Sequence, residues 1–186
     1  MTDLTSLPSD LPVPEDDGAA DHLLGMRIPN IDLVGTGGLP VALGSLGEGR
    51  TVLYIYPLTG RSGEDLPTGW DDIPGARGCT PEACSFRDHF VDIQKAGAHK
   101  VFGLSRQTTD YQIEVAQRLH LPFEMLSDPV GLLGKALGLP AFNVDALTLY
   151  RRITLIVRDS QIEKVFYPVF PPDRHAAEVL AWLQEN

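Results

Sequence analysis

Between Ile73 and Phe90 the chain reads IPGARGCTPEACSFRDHF. Both cysteines of its 186 residues, Cys79 and Cys84, fall in this stretch. Small residues lead into the first, and TPEA, a helix start, separates it from the second. Thr80 is expected as the N-cap and Pro81 as the first helical residue, where its missing N–H costs nothing. Glu82 adds a favourable charge in the first turn. Phe86, Phe90 and Ile93 follow at helical spacing, and Gly97 closes the helix. Cys79 thus stands where unpaired N–H groups and the positive end of the helix dipole converge. That setting lowers a thiol's pKa and makes a nucleophile. A small buried hydrophobe is the bland alternative for a free cysteine. On an intact helix, residues five apart lie about 140° apart around the axis and about 7.5 Å apart along it. A disulfide needs Cα atoms within about 7 Å and convergent side chains. If both cysteines are helical, a bond between them requires the first turn to unwind. The spacing therefore reads either as a switch, in which Cys79 reacts and Cys84 resolves the product, or as plain packing of Cys84 beneath the helix.

Working outward, TVLYIYP (Thr51 to Pro57) is a β-branched and aromatic run without polar alternation, the pattern of a strand buried on both faces. RIPNIDLVGTGGLPVAL before it reads as a β-hairpin. KVFGLS and FEMLSD are strands, as is LTLYRRITLIVRDS, which turns near Asp159 and Ser160 into another, QIEKVFYPVF. TTDYQIEVAQRLH is a helix with a capping box, Thr109 and Gln112, and an apolar stripe of Tyr111, Val115 and Leu119. DPVGLLGKALG is a helix capped by Asp128 with Pro129 first, and DRHAAEVLAWLQEN a last helix capped by Asp173. Strands alternating with helices, then an antiparallel pair and a final helix, give an α/β sheet with helices on both faces. The domain is expected over 22–186. Residues 1–21, with six acids before the first basic residue Arg27 and prolines at 8, 12 and 14, are expected to form a flexible acidic tail.

Hydrophobic residues make up 43% and charged residues 22%, a globular balance, and the net charge is −10. Such a surface repels phosphates and anionic lipid, so neither nucleic acid nor membrane is an expected partner. No basic start with an apolar run marks a signal peptide, and the expected compartment is the cytoplasm. There thiols stay reduced, and a close cysteine pair serves redox chemistry rather than stapling. GTGG and GSLGEG complete neither a dinucleotide fingerprint nor a P-loop, and the five histidines are scattered without metal-ligand spacing. No metal or organic cofactor is expected.

GCTPEACSFRD resembles the active-site segment of peroxiredoxins, specifically the bacterioferritin-comigratory (Q-type) branch with its two cysteines five apart. KVFGLS is similar to that family's next strand, LPFEMLSDP to the segment before its following helix, and RRITLIV to the strand that carries its active-site arginine. The resemblance runs over most of Ile28 to Leu183. It implies a thioredoxin-like fold, a central mixed β-sheet flanked by helices with an N-terminal β-hairpin, and thiol-dependent reduction of hydroperoxides. Carried over residue by residue, Cys79 is the peroxidatic and Cys84 the resolving cysteine. Arg152, ahead of Ile153-Thr154, is the arginine that holds the thiolate. The adjacent Arg151 is the competing assignment, and a one-residue slip puts it on the other face of the sheet. Glu82 and Arg87 match positions in the Q-type helix, with an ion pair on the helix surface as the alternative. Pro57 follows its strand as in the family pattern P-x-x-x-T-x-x-C, but Cys79 comes 22 residues later and Ala76 stands where threonine is usual. Arg61 to Gly78 therefore contains an insertion. Thr59 is the candidate for the displaced threonine, Thr80 its substitute, and the inserted loop with Trp70 reads as a pocket wall or as a surface excursion. The implied partners are a hydroperoxide and a thioredoxin or glutaredoxin-type reductant, and the chain is expected as a monomer or homodimer. The rivals are a disulfide oxidoreductase, whose usual C-x-x-C is missing, and a non-enzymatic thioredoxin-like binding module.

Overall fold

The structure, a computed structural model, describes Leu7, Pro8 and residues 10–186. Residues 1–6 and 9 of the expected tail lie outside the described residues. Further along that segment Asp17 accepts a hydrogen bond from the Tyr167 hydroxyl (2.8 Å), and Ala20 is buried.

The central strand is β3 (Arg50–Ile55), which the β-branched and aromatic run foretold; every residue from Thr51 to Pro57 is buried. Its side chains alternate between two apolar layers. Val52, Tyr54 and Tyr56 join a cluster with Phe86 and Ile93 of α1 (Cys79–Lys95) and Val179 and Leu183 of α4 (His175–Glu185). Leu53 and Ile55 join another with Leu133 and Leu137 of α3 (Leu132–Leu137). Around β3 the seven-stranded sheet includes β1 (Asp32–Gly35), β2 (Pro40–Ala42), β4 (Ala98–Ser105), β5 (Met125–Ser127), β8 (Ile153–Arg158) and β9 (Gln161–Phe166), in the order β2-β1-β5-β4-β3-β8-β9. β1 and β2 form the expected hairpin, with Asp32 opposite Ala42. β3 runs parallel to β4 and antiparallel to β8, with Ile55 beside both Leu104 and Ile153. The segment after β3, the segment after β4 and the residue before β8 consequently share one edge of the sheet. α1 is fixed above that edge by Phe86, stacked on Tyr54 with ring centroids 4.3 Å apart. Such a pair adds about 0.5–1.5 kcal/mol to the area it buries.

Three expected caps and the capping box are corrected. α1 begins at Cys79 itself, with Gly78 as N-cap at φ 104°, so Thr80 and Pro81 lie inside the first turn. A Cβ at Gly78 would run into Pro172, so the left-handed backbone and the close approach both call for glycine. α2 (Thr109–Leu119) takes Thr108 as its N-cap. Gln112 is buried instead, donating to Leu126 O (2.9 Å) and Ser105 Oγ (3.0 Å), so tertiary packing claims the side chain that the capping box needs. α3 starts three residues beyond Pro129 with Gly131 as N-cap, yet Asp128 still receives the N–H groups of Leu132 (2.6 Å) and Leu133 (3.0 Å). Asp173 falls in a 3₁₀ turn (Pro172–Arg174) ahead of α4.

The single strand expected from Leu147 is also corrected. It splits into β7 (Leu147–Tyr150), paired with β6 (Ala141–Val144) in a separate hairpin, and β8 of the main sheet. The Arg151 N–H bonds Pro140 O (2.8 Å) at the break, and Arg152 is carried into the interior as the chain changes sheets.

Candidate active site

Cys79, the first residue of α1, is 3% exposed, and its thiol is free, as is that of Cys84. The Cys79 thiol donates to Ala76 O at 3.6 Å. The Arg152 guanidinium is fixed against it, with Nη2 3.2 Å from Sγ. The same Nη2 reaches the carbonyls of Gly75 (3.3 Å), Ala76 (3.2 Å) and Arg77 (3.1 Å), so it also stitches the loop leading into the cysteine. Nη1 donates to the Glu82 carboxylate, and both charged side chains are buried. Breaking such a pair by removing one partner costs about 3–5 kcal/mol, because a charge is left buried alone.

Burial pushes the Cys79 thiol up; Arg152 pulls it down, Glu82 pushes it up, and a backbone hydrogen bond from Leu58 pulls it down. The low pKa expected from the helix start alone is thus outweighed by burial in the reduced, closed form. What opposes that burial most is a fixed positive charge. Burial likewise raises the Glu82 carboxyl, with Arg152 and His175 pulling it back.

Of the two competing arginines, Arg152 faces the thiol, whereas Arg151 sits 3.9 Å from Asp17 near the surface. Glu82 and Arg87 do not pair. Glu82 belongs to the buried cluster, whereas Arg87 bonds Asp88 Oδ1 (2.8 Å) and Leu119 O (2.9 Å) and influences Cys84. Cys84 is half-buried on the same helix, packed near Ala83, Val115 and Leu119. Pro57 is buried just after β3.

Thr59 is buried near the site, but its hydroxyl donates to Gln107 Oε1 (2.9 Å). Thr80 lines the slot beside the thiol, with Leu58, Gly60, Leu66, Trp70, Arg77 and Gly78. That slot holds about 10 Å³, room for one water-sized molecule. Trp70 is 4% exposed and belongs to an apolar cluster with Ala76, Val144 and Leu149, so the inserted loop packs down as a wall of the slot.

Gln107 was not foreseen from the sequence. Its Oε1 also accepts the Thr59 N–H (3.0 Å), its Nε2 donates to Thr59 O (3.1 Å), and the Tyr111 hydroxyl donates to the same carbonyl (3.0 Å). The segment that carries Leu58 and Gly60 over the thiol is clamped on both sides of one residue. The available signal was position: Gln107 follows β4 just as Thr59 follows β3, and polar residues past the carboxyl ends of parallel strands gather at sites.

The site is thus a buried thiol at a helix head, held by a fixed guanidinium at the edge of a mixed sheet. The family model described as Redoxin matches residues 23–180. Peroxiredoxin Q, chloroplastic, of Sedum lineare is 30% identical over 160 residues, spanning 86% of this chain and 77% of that protein. Its Arabidopsis thaliana counterpart is 29% identical, and the match spans 66% of that protein's length. The crystal structure of peroxidoxin BcpB from Mycobacterium tuberculosis superposes with a TM-score of 0.68 at 25% identity, over 87% of this chain and 96% of that one. Peroxiredoxin Q of Xanthomonas campestris shares the fold, with a TM-score of 0.65 at 21% identity over 96% of this chain and 99% of that one. The chain belongs to the Redoxin family and, within it, to the Q-type peroxiredoxins, with a thioredoxin-like fold. Among the described residues no helix is long and apolar enough to cross a membrane, and no three metal-ligating side chains are grouped.

Proposed function

We propose that this chain reduces hydroperoxides with Cys79 as the peroxidatic and Cys84 as the resolving thiol. The observation that carries the reading is the Arg152 guanidinium 3.2 Å from the buried Cys79 sulfur. The Cys79 thiolate attacks one peroxide oxygen and the O–O bond breaks. The other oxygen leaves with a proton as water or an alcohol, and the sulfur becomes a sulfenic acid. Arg152 favours the thiolate and, with the backbone N–H groups around the slot, stabilises charge moving onto the leaving oxygen. The Cys84 thiol then displaces hydroxide from the sulfenic sulfur, forming a disulfide and releasing water. A dithiol of the thioredoxin or glutaredoxin type takes the oxidation by exchange.

Glu82 fixes Arg152 and thereby the thiol; Thr80, in the slot wall, takes the place proposed for the displaced threonine. Thr59 serves through its backbone, not its hydroxyl. The bacterioferritin comigratory protein of Xanthomonas campestris, which shares this fold, is described as having alkyl peroxide reduction activity, which is consistent with organic as well as hydrogen peroxide here. A need for a recycling dithiol places the chain in a reducing compartment, the cytoplasm in our reading, although the plant relatives are chloroplastic by name. We take the chain to act as a monomer or homodimer, with residues 22–186 as the catalytic domain.

The test is the mass of the protein after one equivalent of hydrogen peroxide. Loss of two hydrogens is expected in the native chain and gain of one oxygen in Cys84→Ser. An unchanged mass in both would reject the peroxidase reading.

A further inference from the structure

The slot at Cys79 has a neighbour across the segment that follows β3. Its residues Leu58, Gly60 and Leu66 also line a second, outer cavity of about 320 Å³. That volume lies at the lower end for small-molecule sites, whereas the slot itself admits one water-sized molecule. Three elements wall the outer cavity: the inserted segment (Arg61, Leu66, Pro67), α2 through Tyr111, and the β6–β7 turn (Asp145, Leu147). These walls are tied together. The Thr68 N–H donates to Asp145 Oδ2 (3.2 Å), and Leu66 and Phe142 pack on the Trp70 cluster. The Arg61 guanidinium lies 4.1 Å over the Tyr111 ring.

We infer that this outer cavity is a subsite for the organic substituent of a hydroperoxide, selective for neutral alkyl or aryl groups over anionic ones. The inference rests on the peroxidase reading above. With the reacting O–O group in the slot, a substituent on the distal oxygen that passes between Leu58, Gly60 and Leu66 lies against Leu66, Pro67 and Leu147. The charges select against acids. Arg61 is the cation in the lining, and it is already engaged by Glu64 (3.3 Å) and Glu114 (3.6 Å). Glu64, Asp65 and Asp145 leave the cavity net negative, so a carboxylate or phosphate tail meets like charge. Hydrogen peroxide has no substituent and makes no use of the cavity.

Single-turnover oxidation of Cys79 by hydrogen peroxide, cumene hydroperoxide and a fatty-acid hydroperoxide tests this. Leu147 is 43% exposed, so Leu147→Trp fills the cavity without touching the core. The ratio of the cumene hydroperoxide to the hydrogen peroxide rate constant should fall about tenfold, the order of effect of denying a pocket one methylene. A fall of less than about threefold would overturn the subsite. Asp65→Lys should raise the fatty-acid to cumene ratio by about fivefold, and a ratio unchanged within about twofold would overturn the charge selection. If hydrogen peroxide leaves the native Cys79 reduced, the failure lies in the peroxidase reading itself, a result these ratios cannot imitate.

Discussion

Cys79 and Cys84 share one helix, and in their surroundings they share little else. Cys79 is closed in beneath the inserted loop, with a buried guanidinium held against it by a buried carboxylate. Cys84, five positions on, is half-buried and packs toward α2, with Arg87 and Asp88 near the surface as its charged neighbours. Burial pushes both thiols up, and a cation opposes it in each case: Arg152 for the first, Arg87 for the second. The difference lies in how firmly each cation is held. Arg152 is locked by Glu82 and three carbonyls, while Arg87 is a third exposed and screened by solvent. In the reading proposed here, Cys79 is set apart as the nucleophile less by the helix start than by a desolvated, immobile charge.

The contrast can be broken most completely at Cys79. Cys79→Ser should abolish peroxide consumption, measured by loss of peroxide with reductant present, while the circular dichroism spectrum persists. Next in size, Arg152→Ala should slow oxidation of Cys79 by about 10²–10³-fold, as removal of one fixed donor to a developing charge does. The thiolate is the reactive form and Arg152 favours it, so its loss should move the rising limb of the pH–rate profile to higher pH. The same variant strands Glu82 and should lose about 3–5 kcal/mol of unfolding free energy in denaturant titration. Arg151→Ala should show neither effect.

Gln107→Ala sharpens the comparison from the loop side. Released from its clamp, the Leu58–Gly60 segment should place its N–H less well, slowing Cys79 oxidation about tenfold with little change in the Cys84 step. Smallest of all, Arg87→Ala should slow disulfide formation about two- to threefold by letting the Cys84 thiol rise, as expected for a screened surface charge, and leave peroxide consumption in the first turnover unchanged.

What the sequence could and could not reveal follows the same division. β3 was legible because an unbroken β-branched and aromatic run has only one comfortable environment. Arg152 was legible through resemblance, since RRITLIV is similar to the family's arginine-bearing strand with the arginine directly ahead of Ile153-Thr154; in the structure it stands one residue before β8. The helix starts were less so: Thr80, Thr109 and Asp173 all look like caps, yet tertiary constraints at Gly78, Gln112 and Pro172 decided where each helix began. Gln107 was hidden among the polar residues of SRQTTD, since its role depends on β3 and β4 lying side by side, a contact between distant parts of the chain. For Trp70 the sequence left pocket wall and surface excursion both open, because its partners Val144 and Leu149 come from a hairpin whose first strand, AFNV, carries little β signal.

Both cysteines lie within the continuous helix Cys79–Lys95, so the disulfide proposed here requires the first turn to open. Amide hydrogen exchange in the reduced and disulfide forms measures that opening directly. In the disulfide form, amides from Thr80 to Phe86, apart from Pro81, should exchange much faster than in the reduced form, while Thr154 to Val157 in β8 stay protected. Equal protection of that turn in both forms, with the disulfide confirmed by mass, would contradict the switch.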